Sequence, residues 1–397
     1  MEMEKLTYEK ALGINDKMDK VISKKIWDFI EKSDDFTSNY FKNIWRRNIR
    51  RNLKKHFDKQ GPVSDLKGFG ESKAVIGIGA GPSIKNNIDV LKTLSLQDGT
   101  RPLHEQDFVL ITSNHQFKPC LEKGIIPHFV IISDAGKQLI NQLCTDIPEN
   151  GQHTILLASL HCNRHIINQW VNQGRRIKFF LGNSADLKEL FEKETKEPIE
   201  SVGVVQGGNV MNSMWTLATT HLRSNIFMTV GNDLSFPRGK TLNQQRASYY
   251  ADGQYQENIE SKRDEARNSC DWMGFSFYDN VVCPTGHPLV RLEPVRTTSQ
   301  FMVYKNWVES TVGMNAARKQ SFRYYNCSEG GILGVKCKVE EGEGMFDKDN
   351  WYLLDEVLPK RWCTRRLIDA IIEFRQAKNI LKRSRGIEKV IITPGCN

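Results

Sequence analysis

Four stretches of the chain put glycine next to groups that can bind an anion, move a proton or hold a metal. The first is AVIGIGAGPSI at 74–84. An apolar run ends in Gly77, Gly79 and Gly81, and Pro82 and Ser83 open the next element. Glycines let backbone N–H groups approach a phosphate, proline suits a first helical turn, and a serine hydroxyl there can bond a phosphate oxygen. The spacing is neither G-x-G-x-x-G nor a Walker loop, which counts against a nicotinamide dehydrogenase and a P-loop kinase. The second is SNHQF at 113–117 with KGIIPHFVIISD at 123–134, which places Asn114, Ser133 and Asp134 after apolar runs. The third is QGGNVMNSMWTLA at 206–218, with Gly207, Gly208 and Asn209, followed by NIFMTVGNDLSF at 225–236, with Gly231 and Asp233. The fourth is NCSEGGI at 326–332, with Asn326, Glu329 and Gly330. A tight turn explains any one glycine pair, and a strand-terminal aspartate can equally cap a helix. Four such tips in one region are hard to read as independent turns.

The elements that must position these tips are legible as apolar runs: 74–80, 108–113, 129–133, 154–160, 177–181 and 225–231. Each is bounded by Gly, Pro, Asn or Asp, and most are separated by room for a helix. Runs apolar on both faces with helical crossovers predict a parallel sheet covered on both sides. The reading is therefore α/β, a Rossmann-like doubly wound, mostly parallel sheet. It comprises an N-terminal helical region (1–72), a nucleotide-binding domain (73–240), a lid-like insert and return to the core (241–334) and a basic C-terminal helical region (335–397). Ligands of such sheets bind outside the carboxyl ends of the strands.

Composition narrows the class. Apolar residues make up 39%, and 29 glycines join them, within the usual globular range. The longest charge-free stretch, Ser201–Leu222, carries Gln206, Asn209 and Asn212 and is too polar for a span. The start lacks an apolar signal region. The nine cysteines are irregularly spaced without a Cys-x-x-Cys pair, which supports neither a disulfide framework nor a zinc knuckle. A soluble, cytoplasmic protein is expected. His161 and His165 stand four apart, as two ligands on one helical face would, but no third ligand follows.

The net charge of +9 is uneven. Residues 360–389 carry ten Lys/Arg against Asp369, Glu373 and Glu388 in an amphipathic helical pattern, and 41–57 repeats the theme with Lys42, Arg46, Arg47, Arg50, Arg51, Lys54 and Lys55. Two solvated helix faces are the plain reading, and a footprint for a polyanion is the sharper one.

The motifs GxGPS (79–83), GIIPHFVIISD, GGNVMN, VGNDLSF and NCSEGG, in this order, resemble the MptE-like domain family over about 73–334. PLVRLEPVRTTSQFMVYKNWVES at 288–310 resembles that family's Thr-then-helix segment. The family includes bacterial motility accessory factors, which resemble flagellin glycosyltransferases, and archaeal 6-hydroxymethylpterin diphosphokinases. A looser resemblance runs to bacterial CMP-sialic-acid-dependent sialyltransferases, whose first glycine loop and following Asn hold the cytidine nucleotide. The chain departs from the motility factors in lacking their long flanking domains, and in Ile84 and Asn209, where Leu and often Ser stand.

The resemblance implies a glycosyltransferase that takes a nucleotide-activated sugar, such as a CMP-nonulosonic acid, to a hydroxyl acceptor. The glycine loop would hold phosphate, Asn114 and Asp134 the base or ribose, and the GGN turn the sugar, with Ser133 also among the nucleotide-binding residues. Asp233 or His287, in the proposed lid, would be the general base. The alternative is an ATP- and Mg²⁺-dependent diphosphokinase acting on a hydroxymethylpterin-like alcohol, with Asp134, Asp233 and Glu329 as the available metal ligands. A glycosyltransferase of modified DNA and a non-catalytic nucleotide-binding protein are further alternatives. No cofactor beyond the donor, with Mg²⁺ on the second reading, is called for. The acceptor, whether glycan, protein or nucleic acid, is open, as is assembly into a homo-oligomer.

Overall fold

The six apolar runs become β1 (Ala74–Ile78), β2 (Phe108–Ser113), β3 (Phe129–Ile132), β4 (Ile155–Ser159), β5 (Ile177–Gly182) and β7 (Ile226–Val230). The computed structural model describes residues 41–95, 107–182, 185–235, 272–276, 289–291, 293–297, 299–318, 321–334, 351–353 and 359–391. Three short strands that the periodicity does not announce join the sheet: β6 (Gly203–Val204), β11 (Arg323–Asn326) and β13 (Lys360–Arg361). The order is β13-β11-β7-β1-β2-β3-β4-β5-β6, and every neighbouring pair is parallel. The expected α/β, Rossmann-like, doubly wound fold is present, with nine parallel strands.

Alternate residues of each strand feed opposite cores. In β1, Val75 joins the cluster beneath α6 (Val210–Thr220) and α7 (Ser299–Ala317), which also takes Trp215 and Val308. Ala74, Ile76 and Ile78 face the other side, with Leu367, Ile368 and Ile371 of α8 (Thr364–Ile391). Towards β5 that second face is closed by a long helix, α1 (41–60), through Ile49, Leu53 and Phe57. It is also closed by α3 (Asn114–Glu122), α4 (Arg164–Asn172) and α5 (Ala185–Thr195), while α2 (Ile88–Thr93) lies near β1. The N-terminal and C-terminal helices are thus walls of the core.

Within the expected lid, β8 (Trp272–Ser276) pairs antiparallel with β10 (Glu293–Thr297). Likewise β9 (Leu289–Arg291) pairs with β12 (Trp351–Leu353). His287 lies outside the described residues. Among the described residues, no helix is long and apolar enough to cross a membrane.

The basic helices show where their charge goes. On α1, Lys42 and Arg46 pair with Asp186, and Arg50 pairs with Glu194, both on α5. On α8, Arg375 donates to the Asp107 carbonyl at 2.7 Å and pairs with its carboxylate at 2.5 Å, with its guanidinium over the Phe108 ring. Part of each basic face therefore docks a helix onto the domain.

Candidate functional site

The chain runs outward from β1 through β2 to β6, then returns through α6 to place β7 on the other side of β1. The strand order therefore reverses between β1 and β7, the position where open α/β sheets bind ligands. Both glycine tips meet there. Gly79 N–H donates to the Val230 carbonyl at 2.8 Å and Gly81 N–H to the Gly231 carbonyl at 2.8 Å, prolonging the pairing past the strands. A Cβ on Gly79 would run into the Gly231 carbonyl, and one on Gly81 would lie 2.7 Å from the Asp233 carboxyl carbon. This close approach of two backbones is what requires glycine there. Gly77 is different: it lies inside β1, its absent side chain making room for Phe227 and Met211. Its expected contact with a ligand gives way to core packing.

Ser83, in the 3-10 stretch Pro82–Asn87, donates both its N–H (3.0 Å) and its hydroxyl to the Asp233 carboxylate. Asp233 is buried, and burial pushes its carboxyl up to about 6, with the Ser83 bonds and Arg361 opposing. The sequence expected a general base here. Its two oxygens are instead occupied by one serine, so Asp233 holds the glycine loop against the β7 tip. With the Gly79 and Gly81 N–H groups bonded to the Val230 and Gly231 carbonyls and that of Ser83 to Asp233, the one N–H of this loop without an acceptor among the described residues is that of Ala80.

The N-terminus of α6 also lies against this point, since a Cβ on Gly77 or Gly79 would meet the Met211 side chain at 3.3 Å. Asn209 caps it, its side chain accepting from Asn212 N–H at 2.8 Å. The Val210 and Met211 N–H groups meet no acceptor among the described residues, as expected for the first turn of a helix. Gly207 and Gly208 take positive φ (55° and 86°), and a Cβ on either would lie 2.6 Å from the ring of Trp307 or Tyr304 respectively. The GGN turn is therefore roofed by α7.

Next to β1, the β2 tip carries Ser113, whose buried hydroxyl has no partner among the described residues and which leaves α3 without a side-chain cap. Asn114 donates to Gln142 at 2.7 Å, and Gln142 in turn meets His115. At the β3 tip, Asp134 is exposed and accepts from Gly136 N–H at 2.7 Å. The Ser133 carbonyl meets His161 Nε2. His161 lies in the turn after β4 while His165 lies in α4, so they do not share a helical face. Burial lowers the His161 pKa, partly offset by Ser133 and Asp134.

The fourth motif is largely bonded within itself. Asn326 donates to the Leu333 carbonyl at 2.8 Å and accepts from Ser328 N–H at 3.1 Å. Glu329 caps α8 through Thr364 N–H at 2.9 Å, and the Gly330 carbonyl accepts from Arg361 at 3.1 Å. The ligand contacts expected of Asn326, Glu329 and Gly330 become structural ones. The turn buttresses the β7 tip: Ser328 Oγ accepts from Asn232 N–H at 2.9 Å and Ile332 N–H donates to the Asp233 carbonyl at 2.9 Å. Sequence reasoning missed Arg361, whose bonds to the carbonyls of 330, 331 and 333 hold this turn. It read there as one more basic residue of the C-terminal helix.

The carboxylates set aside for Mg²⁺ do not converge. Asp134 follows β3 and Asp233 follows β7, three strands apart, or about 14 Å at the usual strand spacing. Glu329 faces α8. Among the described residues no cluster of three or more His, Cys, Asp or Glu could hold a metal ion.

The fold is that of a doubly wound α/β protein whose two glycine tips meet at the switch point. Residues 47–239 match the family described as 6-hydroxymethylpterin diphosphokinase MptE-like, so the resemblance carried by the motifs holds over that stretch. Among solved structures, a Maf glycosyltransferase from Magnetospirillum magneticum AMB-1 is similar at 14% identity and a TM-score of 0.42. The similarity covers 72% of this chain and 40% of that one, so the chain spans less than half the length of that protein. No curated protein matches the chain.

Proposed function

We propose that the chain is a transferase that binds a phosphate-bearing donor, a nucleotide sugar first among the candidates, in the β1/β7 crevice, and passes the sugar to a hydroxyl acceptor. The observation that carries this reading is the convergence of unspent donors on the switch point. Among the described residues they include the Ala80 N–H, the first-turn N–H groups of α6 at Val210 and Met211, and the Ser113 hydroxyl next door. An 11-residue helix such as α6 presents a partial positive charge at its start, where a departing nucleotide phosphate would be stabilised. On this reading Asp134, exposed at the β3 tip, would accept from a ribose hydroxyl or a base N–H. Asp233 acts at one remove, by positioning the loop.

The family's description favours a second reading, diphosphoryl transfer from ATP to a pterin-like alcohol. The first reading asks for no convergent pair of carboxylates, and among the described residues Asp134 and Asp233 form none. In either case the Maf enzyme's activity is a proposal for this chain, not an inheritance. The test is isothermal titration with CMP-, UDP- and GDP-sugars and with ATP, each with Mg²⁺ and with EDTA, on wild type and Ser113→Ala. A sugar nucleotide bound equally well in EDTA, and about tenfold more weakly by Ser113→Ala, a loss on the scale of one hydrogen bond to a charged group, is expected. Tight binding of ATP alone, and only with Mg²⁺, would transfer the assignment to the kinase reading.

A further inference from the structure

The N-terminal helix carries more positive charge than its docking uses. Four side chains fix α1 over the tip of β4. Asn48 donates to the His161 carbonyl at 3.0 Å, and Asn52 to the carbonyls of Leu160 at 2.8 Å and Cys162 at 3.1 Å. Lys55 and His56 both meet Asn168 of α4. Along one outer stripe, Lys42, Arg46 and Arg50 are neutralised by Asp186 and Glu194. The residues preceding Asn48 and Asn52 are Arg47 and Arg51, one helical turn apart and exposed. Arg164, the first residue of α4 and also exposed, follows the 160–162 turn on which those asparagines dock. Among the described residues, none of these three arginines has a carboxylate partner.

Two like charges at i and i+4 destabilise a helix, and tertiary docking here brings up a third. The Arg51 guanidinium feels it: its pKa is lowered by desolvation and then by repulsion from Arg164 and Arg47. Moving either helical arginine onto the neutralised stripe, or exchanging it for glutamine, would relieve the repulsion at no cost to packing. An uncompensated trio of guanidinium forks is matched by an anion that accepts several of them at once.

We propose that Arg47, Arg51 and Arg164 form a binding site for a multiply charged phosphate group, of diphosphate size, separate from the switch-point crevice. It lies at the tip of β4, three strands from β1, or about 14 Å across the carboxyl edge of the sheet. A substrate held in both places would carry its anionic group well away from its reacting hydroxyl, as a diphosphate-bearing acceptor does. A second phosphate gives the trio more oxygens to engage than a single one. Sulfate, with fewer charges, should bind more weakly.

The test is titration of the full chain with inorganic pyrophosphate, followed by calorimetry, at constant ionic strength maintained with sodium chloride. Saturable binding is expected, with Arg51→Gln and Arg164→Gln each weakening it about tenfold, the scale of one lost charge-assisted contact. Arg50→Gln, on the neutralised stripe, should leave it within about twofold. All three positions are exposed, so unchanged thermal unfolding is expected and checks that the variants fold. Because the switch point is itself proposed to take phosphate, Ser113→Ala separates the two sites: pyrophosphate binding lost in Ser113→Ala but kept in Arg51→Gln and Arg164→Gln would place it at the switch point and overturn the trio. The proposal is overturned if pyrophosphate does not bind, if sulfate binds as well, or if Arg51→Gln and Arg164→Gln bind it like wild type.

Discussion

Replacing Asp233 by asparagine should change how the stability of the protein depends on pH, by an amount that follows from the geometry. The carboxylate is buried with Ser83 as its hydrogen-bond donor, and its pKa rises from an ordinary 3.8 to about 6. The folded chain therefore holds a proton at pH values where the unfolded chain has released it. The stability attached to that proton is fully present below the unfolded value and is lost as pH rises through the folded one. A shift of roughly two units corresponds to about 3 kcal/mol. Asparagine is neutral throughout, and its side-chain oxygen can still accept from Ser83 N–H. Urea unfolding of both proteins between about pH 4 and about pH 7 should show the wild type losing about 2–3 kcal/mol relative to Asp233→Asn. Other titrating groups are common to both chains and cancel. Parallel pH profiles would sink the reasoning, because they would mean that the carboxylate is solvated and not the buried clasp of the glycine loop.

Other substitutions test the same architecture. Gly79→Ala would push a methyl into the Gly231 carbonyl, so thermal unfolding should report a loss of about 1–3 kcal/mol or more. The same change at Gly313, inside α7 with nothing within 4 Å, should stabilise by about 0.5–1 kcal/mol. Glu309→Ala strands the buried Lys305 ammonium and the Gly334 N–H, both bonded to Glu309. A cost of about 3–5 kcal/mol in urea unfolding is expected. Arg375→Ala removes the bond to the Asp107 carbonyl and the contact with Phe108, and should cost about 1–2 kcal/mol, read from the same unfolding curves.

Most of the sheet was legible because its strands are buried on both sides. A run such as FVLITS at 108–113 is apolar at consecutive positions, and all six residues of β2 are buried. The strands that escaped are those whose sequence does not have to be apolar. β13 is Lys360–Arg361, an edge strand of two residues, and its buried arginine donates to three carbonyls of the turn after β11. β6 is likewise two residues at the opposite edge. Such strands exist because a neighbour offers free backbone groups, a property of the neighbour's sequence.

The site was less legible, for a related reason. Each glycine tip could be found alone, but what a tip does depends on the partner it meets. Ser83 looked like a phosphate ligand because serine at a helix start has a free hydroxyl in isolation. The partner that takes that hydroxyl, Asp233, is 150 positions away in sequence. Gly77, Gly79 and Gly81 look alike in the chain, yet the first faces Phe227, the second a backbone carbonyl and the third a carboxylate. Glu329 looked like a ligand at a turn and proves to be the cap of a helix that begins 35 residues later. In each case the expected chemistry was correct for the residue type and the unknown was which group would consume it. A site in a doubly wound sheet is therefore better sought by subtraction. Once the turns have bonded one another, the donors without an acceptor among the described residues at the switch point include those of Ala80, Val210, Met211 and Ser113, and the first three lie inside the glycine motifs on apolar residues whose backbone, not side chain, a ligand would meet.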